Sequence, residues 1–255
     1  NVFRAAGARA IATKSTHNIP VLTALATAAI TGEMLAYTAS DPTIANVQLK
    51  AYKQTLKTPV SEELLADDWY DVAGELARAT GMAFGAGEEG YFFTGTGSSQ
   101  PTGILNKTAD KTYASATAIT GDEIIETYFG LARQYRDDDA ACWFMADTTA
   151  LLIAKLKLTV TTSGTLPYFW SDPVAGEPAR LYGKKVYTST QVPAATATLK
   201  AVCFCNPAYY LIGERGGLVA KRLALDEYSD TFAFHTRIDG IPLDTSAFYV
   251  AKMAA

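Results

Sequence analysis

Charged side chains are scarce in this chain of 255 residues, since Asp, Glu, Lys and Arg together make up 19% against about a quarter in typical soluble domains. The formal net charge is −4, and no lysine–arginine cluster stands out along the sequence. A sequence-independent DNA-binding protein needs a basic face that displaces counterions. The composition therefore argues against a protein that grips nucleic acid strongly, while the 49% hydrophobic content suffices for one large or two small domains.

Cysteine and histidine are also few. The cysteines are Cys142, Cys203 and Cys205, and the histidines are His17 and His235. An odd cysteine count in a chain of this size argues against a disulfide framework. The Cys-x-Cys pair lacks the second pair of ligands that a structural metal site requires. We therefore predict buried structural thiols, no metal and no cofactor.

A long hydrophobic run is missing as well. The apolar stretch from Ile19 to Ile30 has about a dozen residues and is interrupted by Pro20, whereas a membrane-spanning helix needs roughly 20. The stretch is not a signal peptide, because it lacks an initial Met and a clear cleavage site. We predict no membrane contact, and we interpret the start at Asn1 as that of a processed product.

Catalytic motifs do not emerge. The loop Gly95–Gly103 follows a helix and lacks the Lys-Ser/Thr of a phosphate-binding loop, and the nucleophile motif G-x-S-x-G is absent. The carboxylate pairs Asp67-Asp68 and Glu88-Glu89 are neighbours on a predicted helix, where a solvated face or intersubunit ion pairs explain them. The sequence predicts a protein that is not an enzyme, with a cytosolic α+β enzyme as an alternative.

The most informative stretch runs from Pro59 to Asn106 and predicts one long helix followed by a glycine-rich loop. Ser61 is a suitable N-cap, and Gly95-Thr96-Gly97 ends the helix. Apolar residues recur at three- and four-residue steps, namely Leu65, Trp69, Val72, Leu76, Ala83 and Ala86. Several glycines lie on the same helix, each costing roughly 1 kcal/mol in an exposed helix. We therefore expect the helix to be packed closely against a sheet or another backbone.

The sequence near the N-terminus predicts a two-stranded β-ribbon. Thr43 to Lys57 alternates in part with strand period, and a first strand around Ala29–Tyr37 would pair with it across a turn at Ser40-Asp41-Pro42. A two-stranded ribbon alone is marginally stable in water, so it needs a surface to lie on. That surface is either a neighbouring subunit, which we favour, or the same domain. Residues 1–18 predict an extended or partly helical segment, which is either a poorly ordered terminus or an arm.

The remainder alternates strands and helices, which predicts a mixed α+β domain. We expect a helix over 122–136 with Ile124, Ile125, Tyr128, Leu131, Ala132 and Tyr135 on its buried side. A buried strand follows at 140–146, and then a helix at 148–158 with Leu151, Leu152 and Leu156 as core contacts. Further strands are expected within 179–188, 201–205, 209–213, 218–223 and 228–253.

One combination of motifs carries a resemblance. A helix opened by S-E-E-L-L-x-D, closed by E-E-x-x-F-F-x-G-x-G and followed by Q-P-x-G-I-L resembles the major capsid proteins of tailed bacteriophages, which have the Hong Kong 97-type capsid fold. The matching residues are Ser61, Glu62, Glu63, Leu64, Leu65, Asp67, Glu88, Glu89, Phe92, Phe93, Gly95, Gly97, Gln100, Pro101, Gly103, Ile104 and Leu105. The resemblance is strong over 33–106 and looser over 122–255.

The resemblance implies an α+β fold in five segments. Residues 1–18 would be an N-terminal arm that reaches across a neighbour, and 19–58 an extended hairpin loop that lies over the adjacent subunit. Residues 59–121 would form a peripheral domain with a spine helix, 122–225 an axial domain around the capsomer axis, and 226–255 the return strands of the peripheral domain.

The resemblance also implies a function: a structural major capsid protein that self-assembles into the icosahedral head enclosing phage double-stranded DNA. Implied partners are the protein itself, in pentameric and hexameric capsomers, together with a portal and a possible cement protein. An acidic lumen would hold DNA only loosely. The protein would be located in the virion and assembled in the host cytoplasm. An encapsulin-type bacterial nanocompartment shell, which shares the fold, is the alternative.

We expect charged and aromatic residues of the hairpin, the spine helix and the last strands at subunit contacts, namely Glu33, Tyr37, Asp41, Lys50, Tyr52, Glu62, Asp67, Arg78 and Arg237. The structural turn is expected at Gly95, Gly97, Gln100, Pro101 and Gly103. Some relatives cross-link a hairpin lysine to an asparagine near the C-terminal end. Here no lysine occurs between Lys14 and Lys50, and no asparagine follows Asn206, so we predict a shell held non-covalently or by a cement protein.

Overall fold

The computed structural model describes residues 1–24, 26–61, 63, 72–156, 170, 180–226 and 229–255. The predicted start of the spine helix, with the interface candidates Glu62 and Asp67, lies outside the described residues, as does most of the predicted loop at 159–178. No described helix is both long enough and apolar enough to cross a membrane.

The described helices are α1 (Val2–Ala5), α2 (Val72–Thr94), α3 (Gly121–Gly130), α4 (Arg133–Arg136) and α5 (Asp147–Ala154). Short 3-10 turns occur at Ile104–Asn106, Pro207–Tyr209 and Thr245–Ala247. The strands, in chain order, are β1 (Arg9–Ala12), β2 (His17–Ala24), β3 (Thr43–Leu49), β4 (Tyr52–Ser61), β5 (Lys111–Thr112), β6 (Cys142–Met145), β7 (Arg180–Leu181), β8 (Lys184–Thr188), β9 (Val202–Cys205), β10 (Tyr210–Glu214), β11 (Val219–Asp226), β12 (Ser229–Pro242) and β13 (Phe248–Lys252).

A six-stranded sheet in the order β5-β13-β9-β6-β8-β7 holds the centre of the core. Every residue of β6 and β9 is buried, which fits their continuous apolar sequences, because a strand covered on both faces has no solvent side to alternate with. The ring of Trp143 packs on that of Phe204 at a centroid distance of 4.5 Å. The strands predicted at 140–146 and 201–205 are confirmed.

The second sheet has five strands built around β12. The strand β4 pairs antiparallel with β12 from Ser61↔Ser229 to Tyr52↔Ile238. On the other side of β12, β11 pairs with its first half and β10 with its second half, and β1 joins β10 in parallel. Burial alternates along β4, and the side chain of Gln54 reaches the carbonyl of Phe84 on α2 at 3.4 Å. One face of this sheet therefore carries α2, and the other face is exposed.

Strand pairing crosses the boundaries of the five predicted segments. The strands β10 and β11, from the predicted axial segment, pair with β12, and β13, from the predicted return segment, pairs with β9 and β5. The division into arm, hairpin, peripheral and axial domains stays a prediction.

The prediction for residues 1–18 is corrected for α1 and β1. Phe3 is completely buried, and its ring packs against Phe93 and Phe144 at centroid distances of 4.8 and 5.1 Å. A fully buried aromatic side chain stabilises its position by roughly 2–3 kcal/mol, enough to tie down a short terminal segment. The start of the chain is therefore not a loose terminus, because Phe3 anchors it in the chain's own core, and an arm that reaches across a neighbour stays a prediction.

The strand predicted around Ala29–Tyr37 is wrong. The partner of β3 is β2, with pairs from His17↔Leu49 to Ala24↔Thr43, and no strand is found in 26–42. The strand predicted over 43–57 is divided at Lys50-Ala51 into β3 and β4. Pro20 is tolerated in β2 because the ribbon has only two strands, so that each strand has a free edge where a missing N–H matters little.

Two helix predictions also need correction. The helix expected over 122–136 is broken by the extended residue Leu131 into α3 and α4, and the helix expected over 148–158 ends at Ala154. Leu151 and Leu152 are 53% and 37% exposed rather than core contacts, whereas Ile153 is fully buried. The predicted start at Thr120 is confirmed, since its side chain accepts from the amide of Glu123 and forms a capping box.

Candidate assembly surface

The hairpin formed by β2, β3 and the loop at 26–42 is fastened to the rest of the chain at its base. Leu49 is 1% exposed and lies against Gly213 of β10. The amide of Lys50 donates to the carboxylate of Asp239 at 2.6 Å. The base is thus held by one buried apolar side chain and one hydrogen bond to a charged acceptor, a stronger type of bond than one between neutral groups.

Asp239 is the buried charge at this base. It is 4% exposed, and its second oxygen accepts from the amide of Gly240 at 2.8 Å. Burial raises the pKa of Asp239 above its usual value, while the two amide donors oppose that rise by favouring the carboxylate. Burial, reinforced by the nearby charge of Asp239, also raises the pKa of Tyr52. The carboxylate of Asp239 is thus a fixed hydrogen-bond acceptor that orients the hairpin where it leaves the second sheet.

Beyond its base, the hairpin presents large apolar side chains to solvent. Ile30 and Met34 are fully exposed, and Tyr37 is 94% exposed. Among the described residues of the hairpin, the large exposed apolar side chains are those of Leu22, Ile30, Met34, Leu35, Tyr37 and Ile44. Single exposed apolar residues are ordinary, but a concentration of them marks an interaction surface. No described part of the chain covers this surface.

The loop after α2 joins three elements. The amide of Gly103 donates to the carbonyl of Gly95 at 2.8 Å, and that of Gly97 donates to Pro101 at 3.1 Å. The amide of Thr102 donates to Gly240 on β12 at 2.7 Å, while the hydroxyl of Tyr210 on β10 donates to the carbonyl of Thr102 at 2.8 Å. The loop therefore fixes the end of α2 to the second sheet.

Two glycines of this loop are required by geometry. A Cβ at Gly103 would lie 2.5 Å from the backbone nitrogen of Gly95 and the carbonyl oxygen of Phe93, closer than any real contact. Gly97 has φ +77°, a left-handed conformation that favours glycine. The side chain of Gln100 donates to the hydroxyl of Thr96 at 2.7 Å. All five predicted turn residues lie in one compact loop.

The pair Glu88-Glu89 has a role within the chain, which corrects the prediction of a solvated face or intersubunit ion pairs. Arg4 bridges Glu88, at 3.1 Å, and Glu214 of β10. Glu89 accepts from the amide of Val2 at 2.9 Å and from the hydroxyl of Ser189. The two carboxylates attach the N-terminal segment to α2, while Arg4 links it to β10 and Ser189 lies directly after β8.

The predicted interface residues fall in separate places. Glu33, Tyr37 and Asp41 are exposed in the hairpin loop, and Lys50, Tyr52 and Arg237 are near the hairpin base, with Arg237 exposed on β12. Arg78 is exposed on α2 and pairs with Glu75 of the same helix. Sequence reasoning thus identified parts of two exposed regions, and their contact with another copy stays a prediction.

Sequence reasoning missed a cluster of cations made by strand pairing. Lys53 and Lys57 of β4, Lys221 of β11, and His235 and Arg237 of β12 share the exposed face of the second sheet; these five residues are called the basic face below. The register places Lys53 opposite Arg237, and Lys57 and Lys221 on either side of Ala233. The alternating pattern of side chains along β4 could have placed Lys53 and Lys57 on one face from the sequence alone. The other three lie more than 160 residues further along the chain, so only the register brings them together.

No described carboxylate forms an ion pair with the basic face. Every ion pair between described residues involves other side chains. Burial, together with the charges of Lys53, Lys221 and Arg237, lowers the pKa of His235. The direction of this shift follows from the closeness of the three cations to His235.

The cysteines and the cavities offer little chemistry. All three cysteines are buried free thiols, as predicted, and burial raises the pKa of Cys205. Among the described residues, no group of three His, Cys, Asp or Glu side chains could hold a metal ion. A cavity of about 220 Å³ between Ile104 and Phe248 has Lys107 in its wall, but that ammonium already binds Asp110 at 2.8 Å and the carbonyl of Phe248.

Comparison with known proteins decides the family. A family model described as "Phage capsid family" matches residues 2–253. The chain belongs to the phage capsid family. It is a structural major capsid protein, and its place is in the capsid of a virion. No curated protein matches this capsid protein.

Solved capsid structures show the same fold. The capsid protein of a native GTA particle superposes with a TM-score of 0.84 at 24% identity, covering 97% of this chain and 88% of that one. The structure from Microbacterium phage Oxtober96 has a TM-score of 0.73 at 19% identity, covering 99% of this chain and 91% of that one. The structure from Mycobacterium phage Adephagia has a TM-score of 0.70 at 14% identity, covering 100% of this chain and 90% of that one. The predicted α+β capsid fold and capsid function are confirmed, and the encapsulin and enzyme alternatives are not favoured.

Proposed function

We propose that each copy of this capsid protein lays its hairpin on a neighbouring copy, and that this contact builds the icosahedral head around phage double-stranded DNA. The observation that carries the proposal is the hairpin loop, with Ile30, Met34 and Tyr37 almost completely exposed. Fully burying such side chains is worth roughly 1.5–3 kcal/mol each, and the chain itself leaves them in water.

The base of the hairpin supports a defined direction of reach. Leu49 and the hydrogen bond from Lys50 to Asp239 fasten one end, while the apolar residues lie at the other. A ribbon of two strands is marginal in isolation, but one fastened at its base and covered at its tip by a second copy needs no further support. Copies linked in this way form closed rings when each gives and receives one hairpin.

The remaining partners follow from the same assignment. A portal completes the shell, with a cement protein as an optional further partner, and the shell is assembled in the host cytoplasm. The net charge of −4 favours loose contact with packaged DNA, because tight phosphate binding needs positive charge. The chain has no catalytic role in this scheme.

The test is a variant in which residues 26–42 are replaced by Asn-Gly, which together with Leu25 leaves a three-residue connection between the paired residues Ala24 and Thr43, a length that occurs in β-hairpins. We expect a folded protein that sediments as single copies or small oligomers, whereas the wild type forms particles visible by electron microscopy. The matched control replaces the exposed Leu151 and Leu199 with Ser and is expected to assemble. Normal particles from the loop-deleted variant would contradict the proposal.

A second test concerns the missing cross-link residues. Because no lysine occurs between Lys14 and Lys50 and no asparagine follows Asn206, we expect purified particles to run as single chains on a denaturing gel. A ladder of covalent multimers would show that the shell is cross-linked.

A further inference from the structure

The basic face is a compact group of charges. Neighbouring strands are about 4.8 Å apart, and alternate residues of a strand are about 7 Å apart. Lys53 and Lys57 are four residues apart on β4, and the basic residues of β12 and β11 lie on the next two strands. The five basic side chains therefore arise from an area of roughly 14 by 10 Å.

Such a cluster is unfavourable unless an anionic partner covers it. Like charges directly opposite each other on neighbouring strands are destabilising, and Lys53 lies opposite Arg237. No described carboxylate of the same chain forms an ion pair with any of the five residues. Among the described residues no ion pair relieves the repulsion, so an anionic group from another molecule would stabilise this face.

The hairpin has the complementary composition. Residues 18–49 contain two acidic residues, Glu33 and Asp41, and no Lys, Arg or His. Both acidic residues are exposed in the loop, among its apolar side chains. Beside the basic face, β11 and the residue before it expose apolar side chains too, since Leu218, Val219 and Leu223 are 53%, 40% and 42% exposed.

We propose that the basic face, with the apolar edge of β11, is the docking surface for the hairpin loop of a second copy, whose Glu33 and Asp41 lie against Lys53, Lys57, Lys221 and Arg237. This inference rests on the proposed function, in which the hairpin reaches a neighbour, and adds the surface that receives it. The occupant is a second copy because Glu33 and Asp41 form no ion pair with the basic face of their own chain.

Nucleic acid is the weaker candidate for this surface. A phosphate backbone would satisfy the cations but would leave Leu218, Val219 and Leu223 uncovered, whereas the loop offers both carboxylates and apolar side chains. The net charge of −4 also repels a polyanion at long range. The hairpin loop matches both the basic face and the apolar edge of β11.

The test is a charge exchange in the full-length chain. The variant Lys53→Glu with Lys57→Glu places carboxylates opposite those of the incoming loop, so we expect the particle yield to fall about tenfold or more, because like charges across an interface oppose association. Adding Glu33→Lys and Asp41→Lys to the same chain restores opposite charges and is expected to restore most of the yield. Sedimentation and electron microscopy measure the particles.

The controls separate folding from assembly. Circular dichroism melting curves show whether each variant folds, and the neutral variant Lys53→Gln with Lys57→Gln gives an intermediate yield if charge is the cause. The matched control Arg9→Glu with Lys155→Glu makes the same change in net charge at exposed positions outside the basic face and is expected to assemble. Raising the salt concentration should weaken assembly of the wild type and of the exchanged variant alike, because salt screens exposed charges.

The outcomes distinguish the two proposals. If the loop-deleted chain fails to assemble but every charge variant forms particles, the docking surface is wrong and the proposed function stands. If the loop-deleted chain assembles, the proposed function fails, and with it the inference. A fall in yield that the loop exchange does not reverse would overturn the pairing with Glu33 and Asp41. Normal assembly with reduced binding of duplex DNA, measured by gel shift, would assign the basic face to nucleic acid.

Discussion

The loop after α2 adopts its compact conformation only because Gly103 has no side chain. Gly103→Ala places a Cβ 2.5 Å from two backbone atoms, and relieving such a clash costs about 1–3 kcal/mol or more. We expect the melting temperature of the variant to fall by several degrees. The control is Gly81→Ala, where a Cβ meets nothing within 4 Å and gains up to about 1 kcal/mol of helix propensity. Equal stability of the two variants would contradict this account of the loop.

Phe3 is the residue that ties the N-terminal segment to the core. Phe3→Ala removes a fully buried ring, and such truncations cost about 3–5 kcal/mol. Leu151→Ala, at a position 53% exposed, is the control and should cost about 1 kcal/mol or less. Chemical denaturation of unassembled protein measures both values. A small effect at Phe3 would mean that the segment does not pack on its own chain in solution.

Asp138 gives a prediction about acid stability. The amide of the buried Asn206 donates to its carboxylate at 2.9 Å, and this bond, with the amide of Ala140, lowers the pKa of Asp138. The folded state therefore favours the charged form. The stabilisation from these hydrogen bonds is fully present above the pKa of Asp138 in the unfolded chain, about 4. It is lost as the pH falls through the lower pKa of Asp138 in the folded chain.

We therefore expect Asp138→Asn to flatten the dependence of unfolding free energy on pH between about 5 and 2. Asp139→Asn, at a neighbouring carboxylate with no side-chain hydrogen bond among the described residues, is the control and should follow the wild type. Parallel curves for Asp138→Asn and the wild type, measured by urea unfolding at each pH, would refute the assignment.

Among the elements, those with a strong local signal were predictable. The strands β6 and β9 are short, continuous apolar runs, and Thr120 with Glu123 forms a capping box that marks the start of α3. The glycine and proline residues of the loop after α2 likewise indicate a turn, because both residue types favour turn conformations. These elements depend on residues close together in sequence, so the pattern alone defines them.

The elements that were mispredicted depend on tertiary contacts. The break between α3 and α4 lies at Leu131, beside Gly130, whose missing side chain makes room for the ring of Tyr249. The position of β2 depends on pairing with β3 rather than on its own alternation, which Pro20 interrupts. The burial of Phe3 requires an aromatic pocket built from Phe92, Phe144 and Tyr210, whose residues are far apart in sequence.

For the whole molecule, the sequence predicted the family and fold but only part of the assembly surface. Glu33, Tyr37 and Asp41, which the sequence predicts at subunit contacts, are exposed in the hairpin loop, and their contact with another copy stays a prediction. The basic face was missed because its members come from β4, β11 and β12, and charge clusters created by register have no signature in a linear sequence. Composition reports the sum of the charges, whereas assembly depends on where the fold places them.

The central claim is that the hairpin loop is covered by another copy of the chain. A cryo-electron microscopy reconstruction of assembled particles tests this most directly, because it shows which subunit lies beneath residues 26–42. The account predicts that Ile30, Met34 and Tyr37 are buried against a neighbouring subunit, with Glu33 and Asp41 over its basic face. Density that places the loop against its own subunit, or leaves it in solvent in an intact shell, would contradict the account.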